Sequence, residues 1–334
     1  MTIRERQERD EEARLSPYAA LSSRSAGRAH PISTCDLRTC YQRDRDRIIH
    51  CKSFRRLKYK TQVFLTPMGD HYRTRLTHTL EVSQVARTLA RSLRLNEDLT
   101  EAAALGHDLG HTPFGHIGES TLNRLLPGGF RHNEQSLRVA ERLENDGQGL
   151  NLCRETLDGI LNHSGQNEPK TLEGWCVRRA DRIAYINHDI DDAIRGGILK
   201  PFELPRRCLS VLGETHGERI DTMIRDIVTT SMDQPFVRMS EEVRQASEEL
   251  RAFLFEYVYH DDWRKKEEAR CDYILSALYE HYLAHPEQLP AEYLEINFTE
   301  GAERAVCDFI ACMTDRYAID QFSEIFVPGA FGRR

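Results

Sequence analysis

From Leu80 onwards the apolar residues of this chain return every three or four positions, and few stretches alternate with a period of two. Leu80, Val82, Val85, Ala86, Leu89, Ala90 and Leu93 mark one face and predict a helix over about 79–95. Asn96 is placed to cap the next helix, whose buried side would hold Leu99, Ala102, Ala103 and Leu105. The same spacing predicts helices over 132–146, 151–162, 172–193, 214–230, 241–259, 264–284 and 301–319, with Gly196–Gly197 closing the one that starts at 172. Ile48, Ile49, Phe54 and Leu57 interrupt a basic run and predict a short amphipathic helix there. The exceptions are a short strand over Thr61–Leu65 and a turn over Pro67–Asp70. A chain patterned this way folds as an all-α protein.

At 334 residues and 40% hydrophobic, the chain can bury a large core. It shows no P-loop, no GxGxxG fingerprint and no internal repeat. Its charged first residues, MTIRERQERDEEARLS, lack the apolar centre of a signal peptide, and no run of 18 apolar residues offers a membrane span. Nine scattered cysteines without a CxxC pair fit reduced thiols in the cytoplasm better than a disulfide framework. Charge is uneven. Residues 1–60 carry 15 basic and 8 acidic side chains, net +7, which leaves −14 for the rest of a chain whose formal total is −7. That balance disfavours a simple basic nucleic-acid-binding domain, yet gives the N-terminal part a field suited to an anionic ligand.

Chemistry concentrates between His71 and His132, which holds six of the fourteen histidines. His107–Asp108 directly follows an apolar helix, and LGHTPFGHIGE adds His111, His116 and Glu119. Imidazole nitrogen with carboxylate oxygen suits a divalent ion such as Mn, Mg, Fe, Ni or Zn. Glycines at 106, 110, 115 and 118 allow close backbone approach, and Pro113 stops any helix begun at 107. A histidine-rich loop packed by small residues is the other reading, but its polar groups would then each need a buried partner.

Six strings carry a family likeness: DRDRIIHCKSFRRLKYKTQVF, RTRLTHTLEV with HTLEVSQVARTLA, AAALGHDLGHTPFGHIGE, GGFRHNEQSLRV and RRADRIAYINHDIDDAI. Together, between residues 41 and 195, they closely resemble the deoxyguanosine-triphosphate triphosphohydrolases of the HD superfamily. The resemblance implies a helical HD-domain core over 41–200. An N-terminal arm and loop over 1–40 would precede it, and additional C-terminal helices over 201–334 would pack on the same unit.

In that superfamily one divalent ion is held by H…HD…D, which here falls on His78, His107, Asp108 and Asp181. Two imidazoles and two carboxylates favour Mg or Mn, with Ni, Fe, Co or Zn as alternatives, over a closed structural zinc. The family's catalytic histidine–acid pair maps to His116 and Glu119, three residues apart and adjacent on a helical turn. For the triphosphate the resemblance implies Arg75, His111 and Arg182, with His132 and Glu134 as secondary site residues. Tyr185 would lie near the phosphate or sugar, Asp189 would accept the 3′-hydroxyl, and Gln62 would close the 2′ side of a deoxyribose. The implied reaction is dGTP and water to deoxyguanosine and triphosphate.

A broad-specificity dNTPase, another HD-family nucleotide phosphohydrolase and a non-enzymatic nucleotide- or single-stranded-DNA-binding regulator are the alternatives. Partners implied by the resemblance are a dNTP substrate, an allosteric dNTP between subunits, accessory single-stranded DNA, and further copies of the chain in a hexamer or tetramer. The apolar stretch FLFEYVYH at 253–260 fits an interface or ordinary core.

Overall fold

The computed structural model describes residues 1–62, 73–258 and 262–328, with side chains from 265 in the last segment. Sixteen α-helices and no strand are found among the described residues, as the apolar spacing predicts. Contacts divide the chain into two compact units. One comprises Met1–Cys51, Thr77–His107 and Leu150–Asp261; the other comprises Lys52–Leu76, Asp108–Gly149 and Asp262–Arg334.

The first unit is built round the helices Arg75–Ser92 (from Thr77), Glu97–Gly106, Arg154–Asn162 and Leu172–Arg195. Their apolar faces supply the fully buried Val82, Ala86, Leu89, Ala102, Ile160, Val177, Ala180 and Ile183. Gly159 sets one close approach: a Cβ there would come within 2.8 Å of the Ala103 methyl. Asn96 caps its helix as expected, its side chain accepting from Leu99 N at 3.2 Å. The N-terminal arm contains a helix, Ile3–Arg14, opened by a Thr2–Glu5 capping box. Further along the chain, buried Glu173 accepts the backbone N–H groups of Ala20 and Asn96, both at 2.9 Å. Arg28 likewise pairs with the fully buried Asp44, whose other oxygen accepts from Cys153 N and Thr156 Oγ1. Detaching the arm would strip partners from buried carboxylates, which makes it costly.

The second unit packs the helices His116–Leu125, Asp262–Ala284, Ala291–Glu300, Ala302–Ala311 and Asp315–Phe326 around Leu122, Leu275, Leu278, Val306 and Ile310. Within it Arg138, Arg304 and Gln135 converge on Asp308, which is fully buried.

Four sequence expectations are revised. The helix predicted over 301–319 is two, because Thr314 accepts from Tyr317 N and starts a new helix after Cys312. The one predicted over 132–146 is α-helical only over His132–Arg138 and then widens into a π turn, Val139–Leu143. Helices Arg206–Leu212 and Ala291–Glu300 were not marked by the apolar spacing; each is short, and the second lies between Pro290 and Gly301. Of the strand predicted over Thr61–Leu65, Thr61 makes a single bridge to Thr74, while 63–65 and the predicted turn at 67–70 lie outside the described residues. In FLFEYVYH, Leu254 and Val258 are core, Phe255 and Tyr257 are exposed, and 259–260 are outside the described residues. No described helix is long and apolar enough to cross a membrane.

Candidate metal centre and histidine–glutamate cluster

In the first unit, His78, His107 and Asp181 come together from three helices or helix ends. His78 sits in the first turns of Arg75–Ser92, His107 caps the C-terminus of Glu97–Gly106, and Asp181 lies midway along Leu172–Arg195. His78 Nε2 is 3.1 Å from Asp181 Oδ1, and His107 Nε2 is 3.8 Å from the same oxygen. The His107 ring is fixed by its other nitrogen, 2.6 Å from the Ala104 carbonyl oxygen. A carbonyl only accepts, so Nδ1 carries the proton and Nε2 presents a lone pair toward a carboxylate. Two acceptors facing each other inside a protein are unfavourable unless a cation lies between them. Donor atoms bonded to one ion at about 2.0–2.2 Å stand about 3–3.5 Å apart, so the 3.1 Å separation matches and the 3.8 Å one is slightly wider. Burial alone would raise the Asp181 carboxyl, but the His78 hydrogen bond and the nearby His107 and His78 hold it well below its ordinary value. The residues present therefore fit a divalent ion.

Two further histidines stand beside this trio. His163 ends the helix Arg154–Asn162 and repeats the His107 device, its Nδ1 2.7 Å from the Ile160 carbonyl oxygen. Its ring meets that of His107 edge to face, centroids 4.9 Å apart. His188 approaches His78 edge to face at 6.0 Å and lies 3.2 Å from Glu81 Oε2. Neither was singled out in the sequence. His188 was legible, since it lies seven residues from Asp181, two turns along the same face. The same helix carries Tyr185, half-buried, and Asp189, almost wholly buried. Arg182 is half-buried on another flank of it and lines a cavity rich in arginine.

Asp108, joined to His107 by one peptide bond, belongs to the second unit. Asp108 Oδ2 accepts from Arg75 Nη1 at 2.6 Å, and Arg75 Nη2 donates to the Gln62 carbonyl oxygen at 3.1 Å. Arg75 is only 2% exposed, so its fork is committed to these groups and oriented by them. Gln62 is also buried.

Beyond Asp108, the PFG turn presents the catalytic pair predicted from sequence. Phe114 and Gly115 both have φ of +60°, a strained value for a phenylalanine. Burial of the Phe114 ring in the core and a 2.9 Å hydrogen bond from its N–H to Asp315 hold the turn. Gly115 has no freedom to grow: a Cβ would meet the Gln62 carbonyl oxygen at 3.0 Å. His116 then starts a helix with its ring more than half exposed, Nδ1 3.5 Å from Glu119 Oε2. The other Glu119 oxygen is 2.8 Å from His132 Nδ1 and also accepts His132 N–H at 2.8 Å. His132 stacks on buried His111 with centroids 4.8 Å apart.

Charge within this cluster is strongly coupled. Burial would raise Glu119, but hydrogen bonds from His116 and His132 hold it far below the carboxylate range. Burial works against a charged His132, yet Glu119 raises it above its ordinary value. His111 is pushed well below its ordinary value by burial and by Arg75. Its Nδ1 is buried and has no hydrogen-bond partner among the described residues. Glu134, by contrast, is 60% exposed and lies 3.8 Å from Arg131.

Comparison with known proteins agrees with this chemistry. Residues 75–186 match the HD domain, and residues 237–324 match the phosphohydrolase-associated domain. A deoxyguanosinetriphosphate triphosphohydrolase-like protein of Caldanaerobacter subterraneus subsp. tengcongensis is 59% identical over 98% of this chain and 97% of its own. Like-named proteins of Clostridium perfringens and Desulfatibacillum aliphaticivorans are 51% and 49% identical over 98% of this chain, covering 98% and 99% of their own lengths. A solved protein of Aquifex aeolicus, 22% identical over 86% of this chain and 69% of its own, has a TM-score of 0.37, too low to bear on the fold. The chain is a member of the deoxyguanosinetriphosphate triphosphohydrolase-like family and a metal-dependent HD-domain phosphohydrolase.

Proposed function

We propose that this protein hydrolyses deoxynucleoside triphosphates at the α-phosphorus, with dGTP as the first candidate, releasing deoxynucleoside and intact triphosphate. The observation that carries the reading is the pair of imidazole nitrogens aimed at one Asp181 oxygen, with the His107 tautomer fixed by Ala104. His78, His107, Asp108 and Asp181 would hold one divalent ion, Mg or Mn first. Such an ion, when bound, lowers the pKa of water and polarises a phosphoryl oxygen.

The remaining work falls to this chain's own side chains. Glu119 keeps His116 oriented and favours the charged form of its neighbour His132, so the cluster would be able to hold and pass on a proton. His116, the exposed member, would serve the departing 5′ oxygen or the attacking water. Arg75 and Arg182, with His111, would hold the phosphates through charge-assisted hydrogen bonds. Tyr185 and Asp189 would position the sugar, and Gln62 would stand where a ribose 2′-hydroxyl needs room. His132 and Glu134 would be secondary site residues, His132 adding charge near the phosphates.

Product analysis in 18O-water tests this. Attack at the α-phosphorus breaks its bond to the 5′ oxygen, so the label must appear in triphosphate and not in the nucleoside. Orthophosphate or pyrophosphate as first product would overturn the reading. A panel of the four dNTPs, alone and in pairs with Mg or Mn, then reports base preference and any activation by a second nucleotide.

A further inference from the structure

Two charged side chains that the proposed reaction leaves unused meet, inside the second unit, where the helices Ala302–Ala311 and Asp315–Phe326 are interrupted. Lys60 is only 2% exposed, and its Nζ donates to the Ala311 carbonyl oxygen at 2.8 Å and to the His111 carbonyl oxygen. Two neutral carbonyls replace only part of the lost hydration. Burial accordingly pushes the ammonium down to about 7, with Cys312 and Asp315 opposing. The helix end alone does not call for so costly a partner, because Arg56, still partly exposed, serves it by donating to the Cys312 carbonyl oxygen at 3.2 Å. What Lys60 adds is its hold on His111.

Across the break, Thr314 caps the second helix, so Asp315 in its first turn is not needed as the cap. Asp315 Oδ2 accepts Thr61 N–H at 2.9 Å and the Thr61 hydroxyl, while Oδ1 accepts Phe114 N–H at 2.9 Å. The turn HTPFG is therefore gripped at the His111 carbonyl by Lys60 and at the Phe114 N–H by Asp315. Between those points Thr112 donates its hydroxyl to the Gly115 carbonyl oxygen at 2.9 Å. A phenylalanine at φ +60° persists only where its surroundings over-determine it, and these bonds do so. In an unbroken helix the Ala311 carbonyl would accept from residue 315; the interruption leaves it to Lys60.

We infer that Lys60 and Asp315 are positioning residues for the proposed reaction: from the break between the two C-terminal helices they fix the turn His111–Phe114, and through it the place of His116. The inference rests on the role proposed for His116. It gives the break a use, since the point at which apolar spacing fails is the point that holds the catalytic turn.

A double-mutant cycle on triphosphate release, with amide exchange beside it, tests the inference on the full chain. Asp315→Asn keeps the shape but offers one acceptor where two are used, since an amide nitrogen only donates. It should lower kcat by about tenfold or more, with KM within about threefold and bound metal unchanged. In a His116→Ala background the same change should cost less than about twofold, because the group it positions is gone. By mass spectrometry, amide exchange should quicken over 111–119 and stay as it was over 302–311 and 316–326. Thr61→Val removes one donor to Asp315 and should give the same pattern at smaller size; it carries the test if Asp315→Asn does not fold. An unchanged kcat overturns the inference. So does a loss that persists in full without His116, or exchange that rises equally over the C-terminal helices, which would mark a role in folding alone. Should the native protein release no triphosphate, the hydrolysis reading fails by itself. Exchange over 111–119 then still decides whether Asp315 holds the turn, and unchanged exchange there overturns it.

Discussion

The His78–His107–Asp181 trio and the Glu119 cluster use the same two residue types, and opposite logic. Beside Asp181, His107 and the neighbouring His163 are each locked by the backbone carbonyl three residues earlier, which fixes the tautomer and leaves a neutral lone pair as the donor. Around Glu119, the carboxylate itself holds the imidazoles, so His132 is favoured as a cation and its charge tracks the carboxylate. A carbonyl cannot take up a proton and a carboxylate can, so the first arrangement suits a metal and the second suits moving protons. Helix ends and a helix centre build the one. A strained turn followed by a helix start builds the other.

The largest expected effect breaks the first region alone. Replacing His107 by Ala should reduce triphosphate release below detection and bring bound divalent metal, measured by atomic emission, down to background. His116→Ala should instead retain the metal and lower kcat by about 10²–10⁴, the range for loss of a positioned acid or base. Donor atoms of His111, His116 and Glu119 lie within 4.8 Å of one another, so a second ion there is the outcome that would erase the contrast. Loss of metal in His116→Ala at the same level as in His107→Ala would show it.

Much of this contrast is legible in the sequence, for different reasons in the two regions. Helical spacing predicts the elements that carry His78, His107 and Asp181, but their meeting within one unit comes from motif resemblance and not from period. The carbonyl that fixes His107 leaves no mark in composition, because any residue at 104 supplies it. His163 escaped for the same reason: its role depends on the Ile160 backbone and on ring contact with His107. In the second region His116 and Glu119 are readable as an i, i+3 pair, whereas the share of Glu119 taken by His132 is set by tertiary packing. Helices failed where a local side chain overrode apolar spacing, as Thr314 does in splitting 301–319.

The smallest effect is also the sharpest test of how Glu119 works. Burial disfavours a charged His132, and Glu119 more than offsets this, so its midpoint should lie above 6.5 by histidine-resolved NMR titration. Glu119→Gln keeps the shape and removes the charge. Burial and Arg75 then outweigh the weaker pull of Asp108, and the His132 midpoint should fall below 6.5. Stability should follow. A histidine whose folded pKa is raised contributes fully below 6.5, and its contribution fades as pH climbs through the folded value. Glu119, lowered in the fold, contributes fully above 4.5 and loses that contribution as pH falls through its folded value. The stability gap between the native protein and Glu119→Gln should therefore be widest from about pH 4.5 to 6.5 and narrow on both sides. A gap that stays the same below pH 4.5 and above pH 6.5, with the His132 midpoint unmoved, would mean that Glu119 holds His132 by shape alone. The chemical distinction between the two histidine regions would then rest on His116 only.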